Sequence, residues 1–333
     1  MIARTRARRG LRFLVTVAAL LLALPGVAVA ILSIQFTGTP ASWAKTTGHD
    51  ALWLGHAWVD GRKTADDVKK LATRLRKTGI SDVYVHSGPF NSDGTLPPAL
   101  YPNAANFLKW WRAELPKVRV SPWLGQKVDG TLDLDDPATR QRVLDGVRTI
   151  MALGFDGVHY NFEPIGSGDT EFLDLLTKTR AIIGNHLLST STPQIEPFPL
   201  TRPILRAVVG RDKYWSPDYF RQVAALTDQV AIMTYDTYLP FKGTYGGYVV
   251  RQATMALELV SDEKTLLIGA PAYHDHGLSW LDEAESVEGA AQGARLALTA
   301  HGVPRERFGL ALYVDFAATE EDWKEYDRFW SHP

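Results

Sequence analysis

The sequence predicts an α/β protein built as a (β/α)8 TIM barrel behind an N-terminal signal or anchor segment. Two observations predict it. Eight short apolar runs recur every 30 to 43 residues from Trp53 onward, and most are followed by a segment of helical periodicity. The runs are too apolar to face water on either side, which means a parallel sheet covered by helices. Eight such units in about 290 residues suit a closed barrel better than an open doubly wound sheet. No Gly-x-Gly-x-x-Gly follows the first run, which counts against a dinucleotide fold.

Taken in chain order, the first twelve residues, "MIARTRARRGLR", carry five arginines and no acid, and an apolar run from Phe13 to Ile34 follows. That is an export signal. Two readings fit residues 1–34: a cleaved signal peptide ending at Ala28-Val29-Ala30, or an uncleaved anchor helix, since about 20 apolar residues span a bilayer. Either keeps the arginines cytoplasmic and exports the rest, to be secreted or held at the extracellular face by the N-terminal helix. Residues 35–50 read as a tether, and residues 51–333 as the barrel.

The eight runs are "LWLGHAW" at 52, "DVYVHS" at 82, "VRVSPWLG" at 118, "GVHYNFE" at 157, "LLSTST" at 187, "QVAIMTYD" at 229, "TLLIGAPAY" at 265 and "FGLALYVDF" at 308. Helix starts are marked by Thr64, Asp136-Pro137, Asp169 and Ser216-Pro217, whose side chains or rings suit the first turn. Gly79, Gly154 and Gly184 are the expected helix stops.

Composition narrows the function. With five of the 36 basic residues in the leader, 31 face 37 acids in the remainder, so nucleic acid is not an expected partner. The chain has no cysteine, which excludes thiol chemistry and disulfides. Nothing in it resembles Gly-x-Ser-x-Gly, a Walker loop or His-Glu-x-x-His.

A barrel holds its active site at the C-terminal ends of its strands. Polar residues crowd there: His56, His86, Gln126, His159, Asn161, Glu163, Gln194, Tyr235, Asp236, Tyr273 and Tyr313. In the fourth run, alternate residues share a face, so His159, Asn161 and Glu163 point to the axis while Val158, Tyr160 and Phe162 point to the helices. A glutamate desolvated there has a raised pKa and can donate a proton to a leaving oxygen.

"FDGVHYNFE" resembles the fourth-strand signature of glycoside hydrolase family 18, Asp-x-x-Asp-x-Asp-x-Glu, the family of chitinases and related endo-β-N-acetylglucosaminidases. Asp156 and Glu163 match the outer letters, and His159 and Asn161 replace the middle aspartates. "MTYD", Met233 to Asp236, is similar to the family's sixth-strand Met-x-Tyr-Asp, and "GAPAY" to its seventh-strand Gly-x-Pro-x-Tyr. The Asn-x-Glu pair also resembles family 85 enzymes. The resemblance implies substrate-assisted hydrolysis of an N-acetylhexosamine-containing glycan, an exception to the two-carboxylate rule. It implies Glu163 as general acid and base, Asn161 holding the substrate's acetamido group, and Tyr235 and Asp236 in support. Expected substrate contacts are His159, Met233, Trp123, Gln126, Tyr273, Tyr313 and His86. No cofactor or metal is expected, and a monomer is.

Two rivals stay open. One is a lectin-like barrel that binds glycan without turnover, favoured by the two lost aspartates. The other is a metal-dependent hydrolase using His56, His86 and His159. Trp53, Trp58, Trp123, Trp215 and Trp280 suit either a sugar-stacking cleft or core packing. Asp129, Asp133, Asp135 and Asp136 lack calcium-loop spacing, and His274 and His276 lack a third metal ligand nearby.

Overall fold

The computed structural model describes residues 26–274 and 284–333. Eight parallel strands close into one barrel in sequence order. They are β1 (Asp50–Leu54), β2 (Ile80–His86), β3 (Arg119–Lys127), β4 (Gly157–Glu163), β5 (Leu187–Thr192), β6 (Gln229–Ile232), β7 (Thr265–Pro271) and β8 (Phe308–Tyr313). Strand β6 stops at Ile232, so Met233 to Asp236 belong to the loop beyond it.

The helices of the outer layer are α1 (Ala65–Leu75), α2 (Ala104–Glu114), α3 (Pro137–Met151), α4 (Thr170–Ile183), α5 (Thr201–Val209), α6 (Pro217–Leu226), α7 (Lys242–Leu259), α8 (Val287–His301) and α9 (Glu320–Tyr326). Thr64 opens α1 with a reciprocal capping box, and Asp136, Asp169 and Ser216 cap α3, α4 and α6 as the sequence predicts. Helix α2 follows Asn103, a residue type that suits an N-cap, but the Asn103 side chain makes no cap hydrogen bond. Gly154 and Gly184 take positive φ beyond their helices. Gly79 does not stop a helix: α1 ends at Leu75, and a Cβ on Gly79 would lie 2.0 Å from the Thr46 hydroxyl.

Two cores follow from strand alternation. The larger fills the space between strands and helices and includes Val158, Tyr160 and Phe162, on the face expected. The smaller lies inside the barrel, where Trp53, Tyr84 and Trp123 pack against Ala51, Ala231 and Ala311. The small alanines leave room for the large rings.

Residues 35–50 are not a free tether. Ala41 N–H donates to the Thr299 hydroxyl at 2.8 Å, Arg295 Nε to the Ala44 carbonyl at 2.6 Å, and Ala44 is fully buried. The preceding segment, helical over residues 26–35, packs against α7, where a Cβ on Gly247 would sit 1.7 Å from the Leu32 carbonyl oxygen. Among the described residues no helix is long and apolar enough to cross a membrane. Residues 1–25, the bulk of the expected export segment, lie outside the described residues.

Candidate active site

Strand β4 brings Asn161 and Glu163 to the C-terminal mouth. Across from them on β3 stand Gly125 and Lys127, register partners of Asn161 and Glu163. A Cβ on Gly125 would lie 1.9 Å from the Asn161 carbonyl oxygen, so the glycine is what lets the two strands pair this closely at the site. Glu163 opens to solvent in the cleft while protein surrounds it on its other sides. That burial raises its pKa above the ordinary glutamate value; the Asn161 amide opposes the rise, the Asp236 charge adds to it, and Lys127 and Arg211 oppose it. Asn161 Oδ1 is buried and accepts no hydrogen bond from any described residue.

The second wall comes from the loop after β6. Asp236 takes a left-handed φ of 56°, unusual for a residue with a side chain. Glu285 holds that turn: one of its oxygens accepts from Asp236 N–H at 2.7 Å, and the other accepts from the Thr237 N–H and hydroxyl at 2.7 and 2.5 Å. Burial raises the Glu285 pKa despite those donors. Lys213 Nζ reaches the Asp236 carbonyl at 3.3 Å. Gln194 Nε2 donates to the Met233 and Tyr235 carbonyls at 2.7 and 2.9 Å, fixing the same loop from beneath.

Three tyrosines line this side. Tyr235 stacks on Tyr313 with centroids 5.3 Å apart, and Tyr273 meets both rings edge-on at 5.8 Å. Tyr273 donates to Asp236 Oδ1 at 2.6 Å. Tyr235 is buried, and burial raises its pKa, with Tyr313, Tyr273, Glu163 and Asp236 adding to the rise.

Several expected contacts lie elsewhere. His159 is fully buried beneath the cleft: its Nδ1 meets the Ser189 hydroxyl at 2.8 Å, and Trp53 Nε1–H donates to its Nε2 at 3.1 Å. An indole can only donate, so Nε2 is the bare nitrogen and Nδ1 carries the proton. Burial holds this ring neutral, far below the ordinary histidine pKa. His159 therefore supports the floor and does not reach substrate. Gln126 spends both amide ends on backbone, Nε2 on the Phe90 carbonyl at 2.6 Å and Oε1 on Lys127 N–H at 2.8 Å. Trp123 is 8% exposed and packs under the cleft against His86 and Tyr313. Met233 is half-buried, its backbone N–H bonded to the Thr192 carbonyl. Trp53, Trp58 and Trp215 are core residues, and Trp280 lies outside the described residues.

His86 stays at the mouth. Its Nδ1 touches His56 Nε2, and burial with the neighbouring His56 ring takes its pKa down to about 3. The trio of histidines expected for a metal does not assemble, since the ring nitrogens of His159 are already engaged below. Among the described residues no group of three His, Asp or Glu side chains is placed to hold a metal ion. His274 pairs with Asp322 at 3.0 Å, and His276 lies outside the described residues. Asp156, the first letter of the strand signature, sits at the opposite end and accepts from Val120 N–H at 2.8 Å.

The chain superposes on a chitinase from Chromobacterium violaceum with a TM-score of 0.57 at 14% identity, over 84% of this chain and 98% of that one. It is similar to the Bacillus megaterium spore cortex-lytic enzyme SleL, with a TM-score of 0.60 at 14% identity over 86% and 75% of the two chains. A putative chitinase A from Streptomyces coelicolor gives a TM-score of 0.56 at 12% identity over 85% and 97%. This is the fold of the chitinases. At such identities the likeness is one of fold. No family model matches the sequence, and no curated protein matches it either.

Glu285 and Lys213 are residues that sequence reasoning missed. Glu285 lies 49 positions beyond Asp236, on a different loop, and no local pattern couples them. Asp315 was in view at the end of the eighth run; it accepts from Gly55 N–H at 2.8 Å and Trp58 Nε1–H at 2.7 Å, tying the loop that carries His56 to β8.

Proposed function

We propose that this cleft belongs to an exported glycoside hydrolase that cleaves an N-acetylhexosamine-containing glycan, with Glu163 as general acid and base. The observation that carries the reading is the buried, unpartnered Asn161 Oδ1, two residues before Glu163 on the same inward face. An unsatisfied buried acceptor costs about 1–3 kcal/mol, and a substrate acetamido N–H would supply its missing donor.

In the proposed reaction Glu163 protonates the glycosidic oxygen as the acetamido carbonyl oxygen attacks the anomeric carbon and the leaving sugar departs. The ionised Glu163 then takes a proton from water, whose oxygen attacks the anomeric carbon and reopens the oxazolinium ring. Asn161 orients the amide for the first step. Burial raises the Glu163 pKa and the Asp236 charge adds to that rise, while Asp236 is itself held by Tyr273. Tyr235 offers its hydroxyl toward the reacting acetamido group. Tyr313, Tyr273 and the exposed Tyr238 supply aromatic faces for sugar rings. The arginine-rich start and the apolar run after it support the export part of this reading.

A second reading, binding without turnover, is favoured by two uncharged groups. His159 is neutral, and Asn161 cannot offset an oxazolinium charge as a carboxylate would. An assay of the full chain on labelled N-acetylglucosaminyl oligosaccharides separates the two. Hydrolysis that Glu163→Gln abolishes while binding persists supports the enzyme. Binding by the wild type without hydrolysis makes it a glycan-binding barrel, and neither binding nor hydrolysis overturns both.

A further inference from the structure

Helix α5 is an anomaly in this fold. It stands in the connection between β5 and α6, at the C-terminal end of the barrel, and none of its residues is buried. Nine residues are too few to hold a helix by propensity alone, so most of its stability must come from a face that is covered. Its inner contact is slight: Leu205 joins a small cluster with Leu32, Tyr214 and Tyr248. On the outside, Leu200, Ile204 and Val208 recur every four residues and form a stripe.

The neighbour in that small cluster repeats the pattern. Leu32 belongs to the helical segment 26–35, whose Val27, Ile31 and Ile34 also face outward at helical spacing. All six side chains are between 40% and 78% exposed. Scattered exposed apolar residues are ordinary, whereas two such stripes on adjacent helices are not. Arg202 and Arg206 belong to α5 itself, and Arg211 and Lys213 follow it toward the cleft, against the single acid Asp212 in residues 201–213. Asp212 stands 3.7 and 3.8 Å from the first two arginines and Asp129 stands 4.0 Å from Arg211, so the four cations meet two acids.

We propose that α5 and segment 26–35 together form a docking face for the surface of an anionic lipid bilayer. An amphipathic helix with an apolar stripe and flanking arginines lies in the headgroup boundary, with its stripe about 5–10 Å deep. The chain argues for the occupant as well: the apolar run that starts at Phe13 extends in sequence to Ile34 and so includes Val27, Ile31 and Ile34 of the exposed stripe. This docking holds the Lys213 and Asp236 side of the cleft beside the lipid surface, because Lys213 follows α5 directly and bonds the Asp236 carbonyl. It is independent of the glycosidase reading.

The absence of cysteine allows a clean test with the full chain. Ile204→Cys, Val208→Cys and Val303→Cys are each labelled with an environment-sensitive fluorophore; Val303 is exposed in the connection between α8 and β8, at the other end of the barrel. The proteins are reconstituted in vesicles of phosphatidylcholine and phosphatidylglycerol, with or without lipids carrying a shallow nitroxide quencher. Labels at 204 and 208 should lose about half of their emission to the nitroxide, and the label at 303 should be unaffected. Labels at 204 and 208 that match 303 overturn the proposal. So does a blue-shifted emission insensitive to lipid-borne quencher, which means that protein, a second copy or the residues before 26, covers the stripe.

Discussion

Each end of the barrel holds a carboxylate, and the two are treated oppositely. At the N-terminal end, Asp50 is fully enclosed and accepts from Tyr326 at 2.5 Å, Trp330 at 2.8 Å, Leu310 N–H at 2.8 Å and Thr46 at 2.5 Å. Those donors come from the segment before β1, from β8 and from the C-terminal residues, so one side chain ties the entry to β1 to the last turns of the chain. At the C-terminal end, Glu163 opens to the cleft, and its neighbour Asn161 keeps an oxygen without a donor. Burial raises the pKa of both acids. Only at Asp50 is every lone-pair direction used by the fold. The N-terminal end spends its polar groups on stability, while the C-terminal end leaves them for a ligand.

That contrast can be broken at its strongest point first. Glu163→Gln should lower kcat/KM by about 10²- to 10⁴-fold, because the amide keeps shape but loses the transferable proton. The folded protein should gain from the same change. A carboxyl raised in the folded state destabilises it as pH rises from the unfolded value through the folded one, and glutamine removes that penalty above this window. Denaturation at pH 7 and pH 4 checks the sign, with the variant's advantage present at pH 7 and absent at pH 4. More than a tenth of the wild-type activity would remove Glu163 from the acid role.

The opposite pattern belongs to Asp50→Ala. It strips four donors of their acceptor and should cost about 3 kcal/mol or more of unfolding free energy, with kcat/KM unchanged where the protein is folded. A stability loss under 1 kcal/mol would erase the contrast between the two ends.

Smaller effects sharpen it. Tyr235→Phe should lower kcat/KM by about 3- to 10-fold with little change in melting, as expected for one hydrogen bond made to a ligand. A melting loss with intact kinetics would return Tyr235 to the core. The subtlest test is Asn161→Asp, which sets a like charge about 7 Å from Glu163 on the same face. That charge raises the Glu163 pKa further, so the alkaline limb of kcat/KM against pH should move upward. An unmoved limb in a folded variant uncouples residue 161 from Glu163.

Local pattern carried this protein a long way. Period-two alternation settled which residues of β4 face the axis, because a strand has only two faces, and four helix starts were legible because a cap is made within three residues of itself. The number of units and their apolarity implied a closed parallel barrel, and the strand-end polarity of Asn161, Glu163, Tyr235 and Asp236 pointed to the mouth where all four stand. Depth along the axis was not legible. His159 and Asn161 share a face and differ by two residues, yet one is sealed under Trp53 and Tyr84 while the other reaches the cleft, since the rings that seal it come from other strands. Gln126 looked like a cleft residue, but its parity puts it on the outer face, where two backbone groups claim it. Glu285 was invisible for the same reason that the docking of residues 35–50 was: each is defined by partners brought close by closure of the barrel and the packing of its helices, and a pairing at a separation of 49 or 258 residues leaves no periodic trace in the chain.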